Sequence, residues 1–298
     1  MQQLVILAFS SHYAIKAIEK LIAFTGLSEM SAGFILLATL TSVPEIIVGL
    51  FAVLQGDPGI SVGAILGSNV FNIGAVLGIL AMFGYLKTCC TDLLLDLTDI
   101  LFLTSLIPLL LVICNVATPI VGVLLLGTFV ANPYFMAKKR TPAVEVNGAS
   151  VIKKESKTKV IGLLALGLVG VIISARLVVS SGVNLAVIFG APPILLGAKI
   201  VAIDTSLPKF TIDFAAVRRG RVHLAIGYLI GSNLTNLTLV LGLVLLTSPS
   251  VYITILTELL PFLLITTIIL WRFLTRGGIS KIGSVILFAV YIMFQIIL

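Results

Sequence analysis

Charged side chains are scarce in this sequence. Of its 298 residues only 10% are Asp, Glu, Lys or Arg, whereas 59% are hydrophobic. A soluble domain of this length needs a far more polar surface, so the composition excludes a soluble protein. Apolar runs of roughly 20 residues, long enough to cross the hydrocarbon core of a bilayer, follow one another along the chain. The sequence therefore predicts an all-α membrane protein with many spans.

The residues that enzymes most often use are also rare. The two histidines, His12 and His223, are too far apart for the H-E-x-x-H pattern of a zinc protease, and the three cysteines lack metal-ligand spacing. An intramembrane aspartyl protease needs carboxylates on two facing spans, whereas Asp204 and Asp213 belong to the same predicted span. We therefore expect no enzymatic activity and no bound cofactor.

Polar breaks and Gly/Pro positions divide the chain into ten predicted transmembrane helices. The first five belong to residues 1–137, and the last five to residues 160–298. A polar linker, residues 138–159, separates these halves. The ten spans are expected at 2–24, 30–54, 58–85, 93–114, 117–137, 160–180, 188–217, 222–246, 251–272 and 280–297.

The basic residues predict the orientation of these spans. With the N- and C-termini outside and the linker in the cytoplasm, all 19 Lys and Arg except Arg176, Lys199 and Lys209 lie at or near inner ends, as the positive-inside rule requires. The net charge of +7 then reports topology, so we expect the lipid bilayer and not nucleic acid as partner. The predicted location is the plasma membrane, and no protein partner is required.

The two halves contain the same motifs at one constant offset. "LTSVPE", residues 40–45, matches "DTSLPK", residues 204–209, and "GSNVFN", residues 67–72, matches "GSNLTN", residues 231–236, always 164 residues apart. The matched segments extend over 33–78 and 197–242. Because each half has an odd number of spans, the second copy enters the membrane from the opposite side. Such inverted repeats are typical of secondary transporters.

The repeated motifs interrupt their helices with polar groups. Pro44 and Pro208 should break or kink the second and seventh spans, and backbone freed at membrane depth is tolerated only where it lines a cavity. Hydroxyl and amide oxygens beside these breaks suit hard cations such as Na⁺ and Ca²⁺. Close helix packing is the alternative role of such small and polar residues. The candidate cation-binding residues are Thr41, Ser42, Glu45, Ser68, Asn72, Thr205, Ser206, Ser232 and Asn236.

At these motifs the chain resembles the Ca²⁺/cation antiporter superfamily, most closely its prokaryotic sodium/calcium exchangers. That family's repeats follow approximately G-T-S-x-P-E and then G-N-x-x-G-S-N-x-x-N. The resemblance implies alternating access around a central cluster of cation sites, with Na⁺, Ca²⁺ or H⁺ as transported substrates. It implies metal ligation by Glu45, Asn72 and Asn236, together with the hydroxyl residues of both motifs.

The departures from the family pattern concern charge. Lys209 stands where the second motif glutamate is expected, and Asn236 is an amide at a position that is often acidic in sodium/calcium exchangers. Asp204 replaces a glycine and would compensate for the lysine if it faced the site. Ca²⁺ sites rely on several carboxylates, so each lost negative charge weakens divalent binding.

Two roles for Lys209 remain open at the level of sequence. Its ammonium could occupy a cation position and pair with Glu45, which would favour a monovalent cation/proton antiporter or an exchanger of altered specificity. It could instead snorkel or pair with Asp213, four residues further along the same helical face. The resemblance makes Na⁺/Ca²⁺ antiport the first expectation. A passive cation channel is the rival class, and dependence of flux on a counter-ion gradient distinguishes the two.

Overall fold

The computed structural model describes residues 2–25, 28–54, 58–86, 91–114, 119–138, 158–170, 173, 196–247 and 253–297. All regular secondary structure in these residues is helical. We number the helices α1 Gln2–Thr25, α2 Glu29–Thr41, α3 Val43–Leu54, α4 Gly59–Met82, α5 Asp92–Ser105, α6 Ile107–Cys114, α7 Pro119–Lys138, α8 Thr158–Gly170, α9 Ala202–Arg218, α10 Val222–Thr247, α11 Ile253–Leu274 and α12 Lys281–Ile297.

Helices α4 and α10 form the centre of the molecule. Both are long and apolar enough to cross a membrane, and 83% of each apolar window is buried, against 39% for the windows at Asp92–Ile113 and Thr257–Leu274. The peripheral helices expose large apolar side chains such as Leu54, Leu166 and Ile296, as expected for a surface that faces lipid. Four described helices can cross a membrane by length and composition, or five if α2 and α3 count as one bent span.

Wide, π-helical turns interrupt the helices that carry the motifs. They occur at Gly33–Ala38 in α2, Phe71–Leu77 in α4, Leu196–Val201 just before α9 and Asn236–Val240 in α10. Such turns shift the helical register by one residue and are frequent at functional sites. They provide the irregular backbone that the sequence led us to expect beside the motifs.

The two motif prolines behave differently. In the first half the helix ends at Thr41, Ser42 lies outside it, and α2 and α3 meet at 44°. In the second half Pro208 lies inside the continuous helix α9, so of the predicted break or kink at Pro208 the break is wrong. A proline removes a single backbone donor. Here the π-helical turn at Leu196–Val201 lies ahead of Pro208, and regular α-helix continues through the proline.

Charged residues join the first helices to the turn between α9 and α10. Arg219 donates two hydrogen bonds to the carboxylate of Glu19 in α1, with distances of 3.1 and 2.8 Å. Arg221 donates to Glu29 at the start of α2 over 2.6 Å. Gly220 makes this tight turn possible because its φ of 76° lies in the left-handed region.

Candidate cation-binding site

The motif residues converge where the two halves of the chain cross. The π-helical turn of α2 packs against the first part of α10, and the turn at Leu196–Val201 packs against the first part of α4. All nine residues that the sequence proposes as cation ligands are buried. They are Thr41, Ser42, Glu45, Ser68, Asn72, Thr205, Ser206, Ser232 and Asn236.

The motif glycines allow this close crossing. A Cβ atom on Gly67 would lie 2.2 Å from the carbonyl oxygen of Ala198, and one on Gly231 would lie 2.8 Å from Cα of Phe34. These contacts correspond to each other, because each residue of one pair is 164 positions from its counterpart in the other. The glycines therefore bring the polar faces of α4 and α10 against the interrupted helices of the opposite half.

Four asparagines join α4 and α10 through a second pair of matching contacts. Asn72 donates from Nδ2 to Oδ1 of Asn233 over 2.9 Å, and Asn236 donates to Oδ1 of Asn69 over 3.0 Å. These bonds orient the second asparagine of each motif. Among the described residues no donor reaches Oδ1 of Asn72 or of Asn236, and both atoms are buried. The first asparagine of each motif is thus structural, whereas the second presents an acceptor of the kind that a cation needs.

The motif hydroxyls surround these amides. Thr41 donates to the carbonyl oxygen of Leu37 over 2.8 Å, and Thr205 makes the equivalent contact with Val201 over 3.1 Å. The hydroxyl oxygens of Ser68 and Thr205 lie 3.3 Å apart, which brings α4 and α9 together. Three other motif hydroxyls are buried and have no hydrogen-bond partner within the described part of the chain, namely those of Ser42, Ser206 and Ser232.

An ion pair lies in the middle of this polar cluster. Nζ of Lys209 contacts Oε1 of Glu45, and the side chains of both residues are almost completely buried, with 2% and 1% of their surface exposed. The ammonium of Lys209 therefore lies directly beside the Glu45 carboxylate, among the residues that the sequence proposes as cation ligands.

Asp213 is a buried carboxylate close to the motif residues, and the sequence offered it as an alternative partner for Lys209. Its side chain is fully buried one helical turn beyond Lys209 on α9. Because the ammonium of Lys209 contacts Glu45, Asp213 is not the contact partner of the lysine. A carboxylate inside an apolar span was the signal that could have identified it. The side chain of Asp204 lies outside the described part of the structure, so its compensating role stays a prediction.

The chemistry of the site is that of oxygen donors. In the described residues, no three His, Cys, Asp or Glu side chains come together as a ready-made metal site. The acceptors are serine and threonine hydroxyls, two asparagine amides and the carboxylates of Glu45 and Asp213. This set suits a hard cation that several neutral oxygens and a single uncompensated charge can hold.

Comparisons with known proteins agree on one group. The family described as sodium/calcium exchanger protein matches residues 3–138 and 159–298. The chain is 28% identical to the sodium/calcium exchanger MaX1 of Methanosarcina acetivorans, over 99% of this chain and 96% of that protein. It is 29% identical to the inner membrane protein YrbG of Escherichia coli, over 83% and 78%. Its structure is similar to the sodium-calcium exchanger NCX_Mj soaked with Na⁺ and Sr²⁺, with a TM-score of 0.82, 25% identity and coverage of 100% and 96%.

Proposed function

Since this chain belongs to the sodium/calcium exchanger protein family, we propose that it exchanges a monovalent cation, Na⁺, for protons by alternating access at the buried oxygen site. Proteins of this family are secondary transporters and not enzymes, and the chain is accordingly a cation antiporter of the membrane. The ten-span inverted repeat, with both termini outside and the linker at 138–159 in the cytoplasm of a plasma membrane, is part of the proposal.

The contact between Lys209 and Glu45 is the observation that carries this choice of ion. The lysine neutralises the motif glutamate, and Asp213, one turn beyond Lys209, is the second buried carboxylate of the site. Two negative charges and one positive charge leave the site with a single net negative charge. A divalent ion in such a site would lack the several carboxylates on which Ca²⁺ binding relies. A monovalent cation matches the charge, and the neutral oxygens can complete its coordination.

Na⁺/Ca²⁺ exchange is the second candidate, because the similar proteins MaX1 and NCX_Mj bear that name. The hydroxyl and amide oxygens of the site would serve either ion. The two candidates differ in the charge of the second transported ion, so a measurement of cation selectivity separates them.

Flux in proteoliposomes tests the proposal. Purified protein is reconstituted with an inward-directed or outward-directed pH gradient, and uptake of ²²Na⁺ is followed together with lumenal pH. We expect Na⁺ uptake to be driven by an outward-directed proton gradient, and to stop when a proton ionophore collapses that gradient. Uptake that needs no counter-ion gradient would indicate a channel, and uptake of ⁴⁵Ca²⁺ driven by Na⁺ without a change of pH would favour the second candidate.

A further inference from the structure

A fully buried carboxylate, Asp213, lies beside the ion pair on α9. Neither of its oxygens has a hydrogen-bond donor among the described residues, and its side chain has no exposed surface. An ionised carboxylate in an apolar interior is stable only with a compensating charge or several hydrogen bonds. Because the ammonium of Lys209 is held in contact with Glu45, Asp213 presents two free oxygens to the interior of the protein.

A second buried polar atom without a partner lies on the adjacent helix α10. The phenol oxygen of Tyr228 on α10 is buried, and no hydrogen-bond partner is found for it in the described part of the chain. Tyr228 belongs to the part of α10 that packs against α9, the helix of Asp213. Lys209 lies one turn before Asp213 on the same helix, and its ammonium contacts Glu45 of α3.

The two halves of the chain differ at the positions that build this place. The position equivalent to Asp213, 164 residues earlier, is Gly49, and the position equivalent to Tyr228 is Ala64. A Cβ atom on Gly49 would lie 3.1 Å from Oγ of Ser61, so that half leaves no room for a carboxylate without movement. The repeated fold thus does not require Asp213 and Tyr228. They occur in the same half as Lys209, where the acidic residue one turn away makes up for the lost glutamate.

We propose that Asp213 and Tyr228 are ligands of the transported monovalent cation, in a site that lies one helical turn from Glu45 toward the turn between α9 and α10. The carboxylate supplies the net negative charge, and the phenol oxygen supplies a neutral donor. Lys209 keeps Glu45 neutralised, so the cation is displaced from the motif glutamate to Asp213. This inference rests on the proposed function and names the residues that hold its substrate.

Equilibrium binding of ²²Na⁺ to the purified full-length chain in detergent tests the inference. Asp213→Asn keeps the size of the side chain but removes its charge, and we expect Na⁺ affinity to fall about 100-fold, as when one partner of a buried charge pair is removed. Tyr228→Phe should lower affinity about tenfold, because one charge-assisted contact is lost. Asp99→Asn is the matched control, since Asp99 is exposed and its carboxylate accepts a hydrogen bond from Nε1 of Trp271 rather than from a motif residue, and it should bind Na⁺ as the wild type does.

Wild-type Na⁺ affinity in both Asp213→Asn and Tyr228→Phe would overturn the inference. Thermal unfolding and gel filtration identify a misfolded variant. If Asp213→Asn fails to fold, Tyr228→Phe alone decides the matter, because it removes one oxygen and leaves every charge in place. A loss of ⁴⁵Ca²⁺ binding without a loss of ²²Na⁺ binding would also contradict it, since Asp213 would then be a ligand of divalent ions.

The flux assay separates this inference from the function on which it rests. Proton-coupled Na⁺ exchange that persists unchanged in Asp213→Asn would leave the proposed function intact and reject Asp213 as a ligand. A wild type that binds Na⁺ through Asp213 but exchanges Na⁺ for Ca²⁺ would support the site and reject the proposed counter-ion.

Discussion

Lys209 and Glu45 contact each other and occupy equivalent positions in the two halves of the chain, 164 residues apart. A glutamate at both positions would place two negative charges in contact, and a cation would have to separate them. With lysine on one side, the protein itself supplies the positive charge. We therefore propose that the selectivity of the cation site depends on this covalently attached ammonium group.

The contributions of Glu45 and Lys209 to the free energy of unfolding should depend strongly on each other. We expect Glu45→Gln and Lys209→Met each to destabilise the protein by about 3 kcal/mol, because each leaves a buried charge without its partner. The double variant should lose much less than the sum of the two, since it leaves no unpaired charge at this contact. Thermal unfolding of the four proteins in one detergent measures this difference.

Additive losses in that cycle would show that the two side chains do not depend on each other. The double variant also removes a candidate cation ligand, so the four proteins are compared without Na⁺ or Ca²⁺. In this way ligand binding does not contribute to the stability of the wild type.

The crossing of the two halves should tolerate no side chain at Gly67. The Cβ atom of Gly67→Ala would lie 2.2 Å from a backbone oxygen of Ala198, so α4 or the turn at Leu196–Val201 must move. We expect a loss of about 1–3 kcal/mol, the usual range for overpacking. Lower thermal stability and reduced Na⁺ binding should appear together, because the same movement separates Ser68 from Thr205.

Gly162→Ala is the matched control for this prediction. Gly162 belongs to α8, and a Cβ atom there would meet nothing within 4 Å. Alanine should raise the stability by up to about 1 kcal/mol, since glycine is the poorer helix former. Equal effects at the two positions would mean that the close approach of Gly67 to Ala198 does not limit the packing.

The charged contacts at the turn between α9 and α10 should stabilise the position of α1. Arg219 binds Glu19 through two hydrogen bonds, a geometry that is stronger than an ordinary surface pair. We expect Glu19→Gln to lower the stability by about 1 kcal/mol in low salt. High salt should reduce the difference from wild type, because these side chains are partly exposed.

Lys16→Gln serves as the control for this prediction, because Lys16 is an exposed cation on the same helix as Glu19. A Glu19→Gln variant that unfolds at the wild-type temperature in low salt would show that the Arg219 contact contributes nothing measurable. The salt series is measured on both variants so that a general effect of ionic strength can be subtracted.

Much of the architecture could be predicted from the repeat in the sequence. The offset of 164 residues pairs Asn69 with Asn233 and Asn72 with Asn236, and the structure brings these four side chains into contact. Close helix packing, which the sequence offered as the alternative role of the small motif residues, also occurs, because Gly67 and Gly231 lie against the backbone of the opposite half. Both features depend on where the helices of the two halves cross, and the repeated motifs mark that crossing once in each half.

Side-chain partners in the site could not be predicted with the same certainty. Lys209 could reach either Glu45 or Asp213 from the sequence pattern, because a long side chain can point along its helix or across to another one. The break at Pro208 was wrong for a related reason, since a local propensity does not show whether the neighbouring turn absorbs the irregularity. The importance of Asp213 follows only once Lys209 is seen in contact with another residue.

The central claim is that Lys209 takes the place of a cation and thereby sets the selectivity of the site. The most direct test compares Na⁺-driven ⁴⁵Ca²⁺ uptake by wild type, Lys209→Gln and Lys209→Glu in matched proteoliposomes. We predict no Ca²⁺ uptake by wild type and a clear gain of Ca²⁺ uptake in Lys209→Glu. The site of that variant would hold three carboxylates, those of Glu45, Asp213 and the introduced glutamate. Na⁺-driven Ca²⁺ uptake by wild type, equal to that of Lys209→Glu and without a change in lumenal pH, would contradict the claim.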